Sequence, residues 1–152
     1  MFLYPLIAAV IIAADQATKY LVRTSMQPGD RIPVIGDWMS IYYVRNTGTA
    51  FSMFSGNKMI TIVLTTVLII ACIIFLIKEA RSGSRITALF LTMIAAGGLS
   101  NLIDRLVLGY VTDMISCWSF AVFNVADIFV TCGCFLLVIY LFFTMKDEEA
   151  GK

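Results

Sequence analysis

Four long apolar runs, at residues 2–22, 59–77, 86–108 and 128–145, leave this chain few ways to fold. Each is close to the ~20 residues a helix needs to cross a hydrocarbon layer ~30 Å thick. The chain is 60% hydrophobic and 14% charged, with a mean hydropathy of +0.91, which a soluble domain of 152 residues could not hide in one core. The expected architecture is therefore an all-α membrane protein with four transmembrane helices, a single domain over residues 1–152. A net charge of +1 with no basic cluster argues against nucleic acid as a partner.

No Lys or Arg precedes the first run, and it passes into Asp15 and Lys19 without a small-residue cleavage site. It is read as a retained helix rather than a secretory signal. Four spans put both termini on one side. The long connection between the first two carries turn signals (Pro33, Gly36-Asp37, Asn46, Gly48) around a β-rich segment at residues 38–44. This predicts a small interfacial sheet within residues 30–54, its tryptophan and tyrosines suited to the headgroup layer. Lys78, Arg81 and Arg85 crowd one short turn and Lys146 and Lys152 the tail, whereas Arg23, Arg31, Arg45 and Lys58 are spread over a longer stretch. Charge density thus favours cytoplasmic termini, with the sheet on the outer face.

The chain has no histidine, which removes Ser-His-Asp and Cys-His machinery and His-ligated zinc together. Hydrolytic chemistry would have to rest on carboxylates, lysine or hydroxyls. Cys72, Cys117, Cys132 and Cys134 lack metal-ligand spacing and read as packing thiols, with a disulfide from Cys117 to Cys132 or Cys134 left open.

Polar residues inside the apolar runs need a reason, since a charge at the bilayer midplane costs about 2.5–3.5 kcal/mol. Asp15 and Lys19 are four apart, on one helix face and in the favourable order for an ion pair that anchors the first helix against the first loop. Asn46 and Gly48 make a turn, or Asn46 hydrogen-bonds an extended peptide. Asn101 and Arg105 share one face of the third helix. Asp104, adjacent to Arg105, reads as a structural partner rather than a proton donor. The run Ala95, Ala96, Gly97, Gly98 lets a neighbouring helix approach closely. Asp113 and Asp127 sit in apolar surroundings with no Lys or Arg between Arg105 and Lys146. Either Asp113 is a loop residue and Asp127 a helix N-cap, or the two meet and share one proton, the state an aspartyl hydrolase uses.

Five blocks, DQATK (15–19), RNTGTAF (45–51), GGLSNLIDR (97–105), GYVTDMI (109–115) and FNVAD (123–127), in this order and across most of the chain, resemble the bacterial lipoprotein signal peptidases, or signal peptidase II. The resemblance implies an intramembrane aspartic endopeptidase of the bacterial cell membrane. Such an enzyme, a target of globomycin, cuts diacylglyceryl-modified prolipoproteins on the N-terminal side of the lipidated cysteine. It implies a catalytic pair of Asp113 and Asp127, substrate-binding residues Asn46, Asn101, Arg105 and Asn124, and structural roles for Asp15, Lys19 and Asp104. It further implies no metal or organic cofactor, membrane lipids as surroundings, and a monomer. Ser100, Ser52 and Ile128 depart from the family pattern. Ser100 is expected to alter helix packing and Ile128 to narrow or dry the pocket. A rival reading makes Asp104, Asp113 and Asp127 relay groups of a small proton- or ion-coupled transporter. It is disfavoured because residues 59–77 carry no Asp, Glu, Lys or Arg.

Overall fold

The computed structural model of the chain describes residues 2–48, 58–118 and 121–150. Ser52, the end of the RNTGTAF block, the expected interfacial region beyond Gly48, and Lys152 lie outside the described residues. In order, the elements are α1 (Leu3–Ser25), β1 (Arg31–Ile35), β2 (Met39–Asn46), α2 (Lys58–Ser82), α3 (Arg85–Val107), β3 (Val111–Cys117), β4 (Ala121–Phe123) and α4 (Val125–Ala150). Among the described residues four helices, α1 to α4, are long and apolar enough to cross a membrane.

The helices are not equivalent. α3 is central and packs against α1, α2 and α4. Of its most apolar stretch 56% is buried, against 11% for α2 and for α4, whose mean hydropathies are higher. A helix that faces lipid must be greasy all round, whereas one sheathed by other helices can carry polar residues if they find partners. Small residues make the sheath tight. A Cβ added to Gly97 would lie 2.5 Å from the carbonyl oxygen of Ala126 and 2.7 Å from Val130 Cγ2. Across the same interface Gly133 of α4 meets Phe90 and Ile94 of α3, so each helix presents a glycine to the other.

The expected sheet is present and larger than its sequence signal. Its order is β1-β2-β3-β4, all antiparallel. Two strands, β3 and β4, come from the α3–α4 connection, where the sequence shows no strand. The reason is burial: most of β3 is enclosed on both faces, so VTDMISC lacks the apolar–polar alternation that marks a half-exposed strand. Gly109, at φ 78° just past the end of α3, donates its N–H to the carbonyl of Arg105 and turns the chain into β3. Val22 of α1, Met26 just past its end, Tyr43 of β2 and Met114 of β3 form a small core that seats the sheet on the end of α1. All four cysteines are free thiols, so the disulfide left open by the sequence is not formed.

Candidate active site

β3 alternates its side chains. Met114 faces the small core, and Asp113 beside it faces the opposite way, toward Asn46 at the end of β2 and Asn124 at the start of α4. Asp113 is thus a strand residue, and not the loop or helix-end residue expected from sequence. Asp127 lies in the first turn of α4. It is not the N-cap, a place taken by Asn124. The Asn124 Oδ1 accepts from the Asp127 N–H at 2.9 Å, and Asp127 Oδ2 accepts from the Asn124 N–H at 3.2 Å, a reciprocal capping box. This cap starts α4 at Val125, three residues before the apolar run.

The two carboxylates are therefore each one hydrogen bond from Asn124, whose Nδ2 donates to Asp113 Oδ1 at 2.7 Å. All four carboxylate oxygens are engaged. Asp113 Oδ2 accepts from Asn46 Nδ2 at 2.9 Å, and Asp127 Oδ1 accepts from Asn101 Nδ2 at 2.8 Å. Among the described residues neither aspartate forms an ion pair. Burial, helped by the nearby Asp127 carboxylate, pushes the Asp113 carboxyl up to about 6, against the amides of Asn46 and Asn124, which favour its anion. Uncharged donors hold both carboxylates in place without pairing either with a cation.

Beside the pair runs an apolar groove of about 350 Å³ between α2, α3 and α4, with Asn101, Arg105 and Asp127 on its wall and Leu68, Cys72 and Ile94 further along. Arg105 also borders a small polar pocket with Asn46 and Tyr110. Asn101 and Arg105 do share a face, and the Arg105 Nη1 donates to the Asn101 carbonyl at 3.4 Å.

A second polar cluster lies behind the first. Lys19, with no exposure, is 2.7 Å from Asp15 Oδ2 and 3.3 Å from Asp104 Oδ2. Asp104 thus pairs with α1, including Arg23 at 3.6 Å, rather than with its sequence neighbour Arg105. The expected Asp15–Lys19 pair exists, but among the described residues its partners lie on α3 and at the start of α4 and not in the first loop. Asp15 Oδ1 accepts from the Ala126 N–H at 2.8 Å, and Lys19 Nζ donates to Asn101 Oδ1 at 2.8 Å. Sequence reasoning missed Gln16, which donates to Ser100 and Asp104, and the function of Ser100, whose hydroxyl donates to Asp15 Oδ2 at 2.7 Å. Their position in the DQATK and GGLSNLIDR blocks was the available signal. Among the described residues no cluster of His, Cys, Asp or Glu could hold a metal ion.

Comparison with known proteins agrees with this geometry. The family model described as signal peptidase (SPase) II matches residues 7–143. The lipoprotein signal peptidase of Shouchella clausii is 38% identical over 145 residues, 95% of each chain. That of Geobacillus thermodenitrificans is 37% identical, covering 99% of this chain and 96% of the relative. A bacterial membrane enzyme solved by the in meso method at 2.3 Å superposes with a TM-score of 0.89 at 33% identity, covering 100% of this chain and 93% of that one.

Proposed function

The chain belongs to the signal peptidase II family, and from that premise we propose that it removes the signal peptides of prolipoproteins by aspartic chemistry at Asp113 and Asp127. It is a peptidase and a multi-pass membrane protein; no comparison supports a transporter.

The observation that carries the aspartic reading is a buried carboxylate, Asp113, and a half-buried one, Asp127, tied together by one asparagine and held only by amide donors, with Asp127 on the wall of an apolar groove. Two such groups cannot both ionise cheaply, so they share a proton. The ionised member takes a proton from water as its oxygen attacks the scissile carbonyl. The protonated member donates to the carbonyl oxygen, and as the tetrahedral intermediate collapses the first member passes the proton taken from water to the leaving amine while the second takes its proton back from a hydroxyl, restoring the pair. Asn46, Asn101, Asn124 and Arg105 orient the pair and hold the substrate backbone. The groove accepts the apolar part of a diacylglyceryl-modified substrate cut on the N-terminal side of its lipidated cysteine. Its acyl chains, at ~0.8 kcal/mol per buried CH₂, hold that bond at the membrane surface. The sheet then lies at the outer face with both termini cytoplasmic, and one chain surrounded by lipid carries the whole site.

Purified protein in lipid or detergent is expected to cleave a diacylglyceryl prolipoprotein, whereas Asp113→Asn and Asp127→Asn each abolish cleavage without loss of fold. Full activity in either variant would overturn the mechanism.

A further inference from the structure

Asp15 and Lys19 do not touch the groove, yet hydrogen bonds run from them to both aspartates. We propose that Lys19, seated by Asp15, is a positioning residue: its ammonium fixes which way the side-chain amides of Asn101 and Asn124 point, and so which atoms face Asp127 and Asp113. This rests on the reading of Asp113 and Asp127 as the catalytic pair.

An ammonium has three donors and no acceptor, so only an oxygen can face it. The Asn101 atom 2.8 Å from Lys19 Nζ must therefore be Oδ1. Its Nδ2 is then obliged to point the other way, where it donates to Asp127 Oδ1 at 2.8 Å. The same Asn101 oxygen accepts from Asn124 Nδ2 at 3.1 Å. That fixes the second amide, whose Nδ2 also donates to Asp113 Oδ1 and whose oxygen accepts the Asp127 N–H. Were Asn101 reversed, its NH₂ would face an ammonium and its carbonyl a carboxylate. One cation thus sets the polarity of a chain of amides that ends on both carboxylates.

Asp15 completes the device. Its Oδ2 holds Lys19 at 2.7 Å, and its Oδ1 accepts the N–H of Ala126, the residue before Asp127. The side chains that aim the amides and the backbone that carries Asp127 are held by one carboxylate. Lys19, Asp15 and Asn124 are all fully buried, so water cannot substitute for a missing partner without opening the bundle.

The test uses full-length protein in detergent with a diacylglyceryl prolipoprotein. Lys19→Met alone leaves Asp15 without its cation and can fail to fold. The paired variant Asp15→Asn/Lys19→Met removes one charge of each sign and leaves Asp104 its ion pair with Arg23 at 3.6 Å, and the amide introduced at position 15 can still accept from Ala126 and donate to Ser100. It is expected to fold, with KM within twofold of wild type and kcat lowered by about 100-fold, as for a reacting group displaced by an ångström. In an Asn101→Ala background the same two substitutions are expected to lower kcat less than threefold further, because the amide they steer is gone. A folded paired variant with wild-type kcat, a change in KM alone, or a full additional loss of kcat in the Asn101→Ala background would each overturn the proposal. Activity of Asp113→Asn or Asp127→Asn would instead defeat the catalytic reading on which it rests.

Discussion

Four aspartates, three of them buried and Asp127 half-buried, occupy two neighbouring clusters of this bundle, and the partners given to each pair differ in kind. Asp15 and Asp104 face a lysine held between them, with Arg23 beyond, and both are almost wholly enclosed. Asp113 and Asp127 face three asparagine amides and one backbone N–H, and Asp127 borders a groove. A cation matched to a buried carboxylate locks its charge and makes removal of either member costly. Neutral donors satisfy the oxygens without deciding whether a proton is present. The same side chain is thus paired with cations in one cluster and with uncharged donors in the other, the difference on which the proposed proton-carrying role of the second pair rests. Asn101 joins them, accepting from Lys19 on one side and donating to Asp127 on the other.

After the aspartates themselves, the largest expected effect falls on the group that both carboxylates share. Asn124→Ala removes the donor to Asp113, the side-chain cap of the Asp127 N–H, and a donor to Asn101. Loss of one positioned donor in a water-poor site costs about 100- to 1,000-fold in rate, and kcat for prolipoprotein cleavage is expected to fall by at least that much. A drop of less than tenfold would mean that the two aspartates are not organised through Asn124.

Removing the charge should act in opposite directions in the two clusters. Asp104→Asn takes an anion from beside Lys19 and Arg23 and weakens the acceptor of the Thr112 N–H. Its expected cost is about 3 kcal/mol of stability, read as a lower melting temperature in detergent, with turnover of the folded fraction changed less than threefold. Abolished turnover at unchanged stability would reverse its assignment as structural.

Asp113→Asn is expected to raise the melting temperature instead. With the Asp113 carboxyl near 6 when folded and about 3.9 when unfolded, the folded protein binds more protons between those values. Stability therefore falls as pH rises from about 4 to 6, by up to about 3 kcal/mol, and the cost is fully present above 6. The amide of the variant carries no charge to desolvate, although one of the two former acceptors becomes a donor and some of the gain is lost. The melting difference between Asp113→Asn and wild type should be largest at pH 7 and close as pH approaches 4. A difference constant with pH would mean that Asp113 is not held against ionisation. In the active enzyme the same property predicts that kcat/KM falls as pH drops below about 6, where the Asp113 carboxyl takes up a proton.

How much of this was legible in the sequence depended on whether partners were local. The four helices could be read from run length, and the interfacial sheet from turn residues and β-branched or aromatic strand residues in the α1–α2 connection. Asp15 and Lys19 could be paired because a helix places residues four apart side by side. The partner of Asp104 could not, because it comes from α1, more than eighty positions away. Adjacency to Arg105 misled, since neighbouring residues on a helix point in different directions. β3 was hidden because a strand buried on both faces has no alternation to read. The position of Asp113 on that strand was hidden with it. Resemblance to a family supplied the residue pairing that spacing alone left open. The amide chain from Lys19 to both aspartates needed coordinates, since it crosses α1, α3, β3 and α4.

The smallest effect expected is at Ile128, where adjacency in sequence again suggests more than the fold delivers. It follows Asp127 and departs from the family pattern, which from sequence points to a narrower or drier pocket. The structure corrects this: successive residues of α4 are turned about 100° from each other, and Ile128 is 40% exposed and absent from the groove wall that Asp127 and Val130 share. Its backbone N–H remains tied to the Asn124 carbonyl whatever side chain it carries. Ile128→Ser should therefore leave kcat and KM within about twofold of wild type. Its stability cost is expected to be about 1 kcal/mol, from replacing a partly exposed apolar side chain by a hydroxyl. A tenfold change in KM would place Ile128 against the substrate, and the boundary drawn between the site and the outer face of α4 would then have to move by one residue.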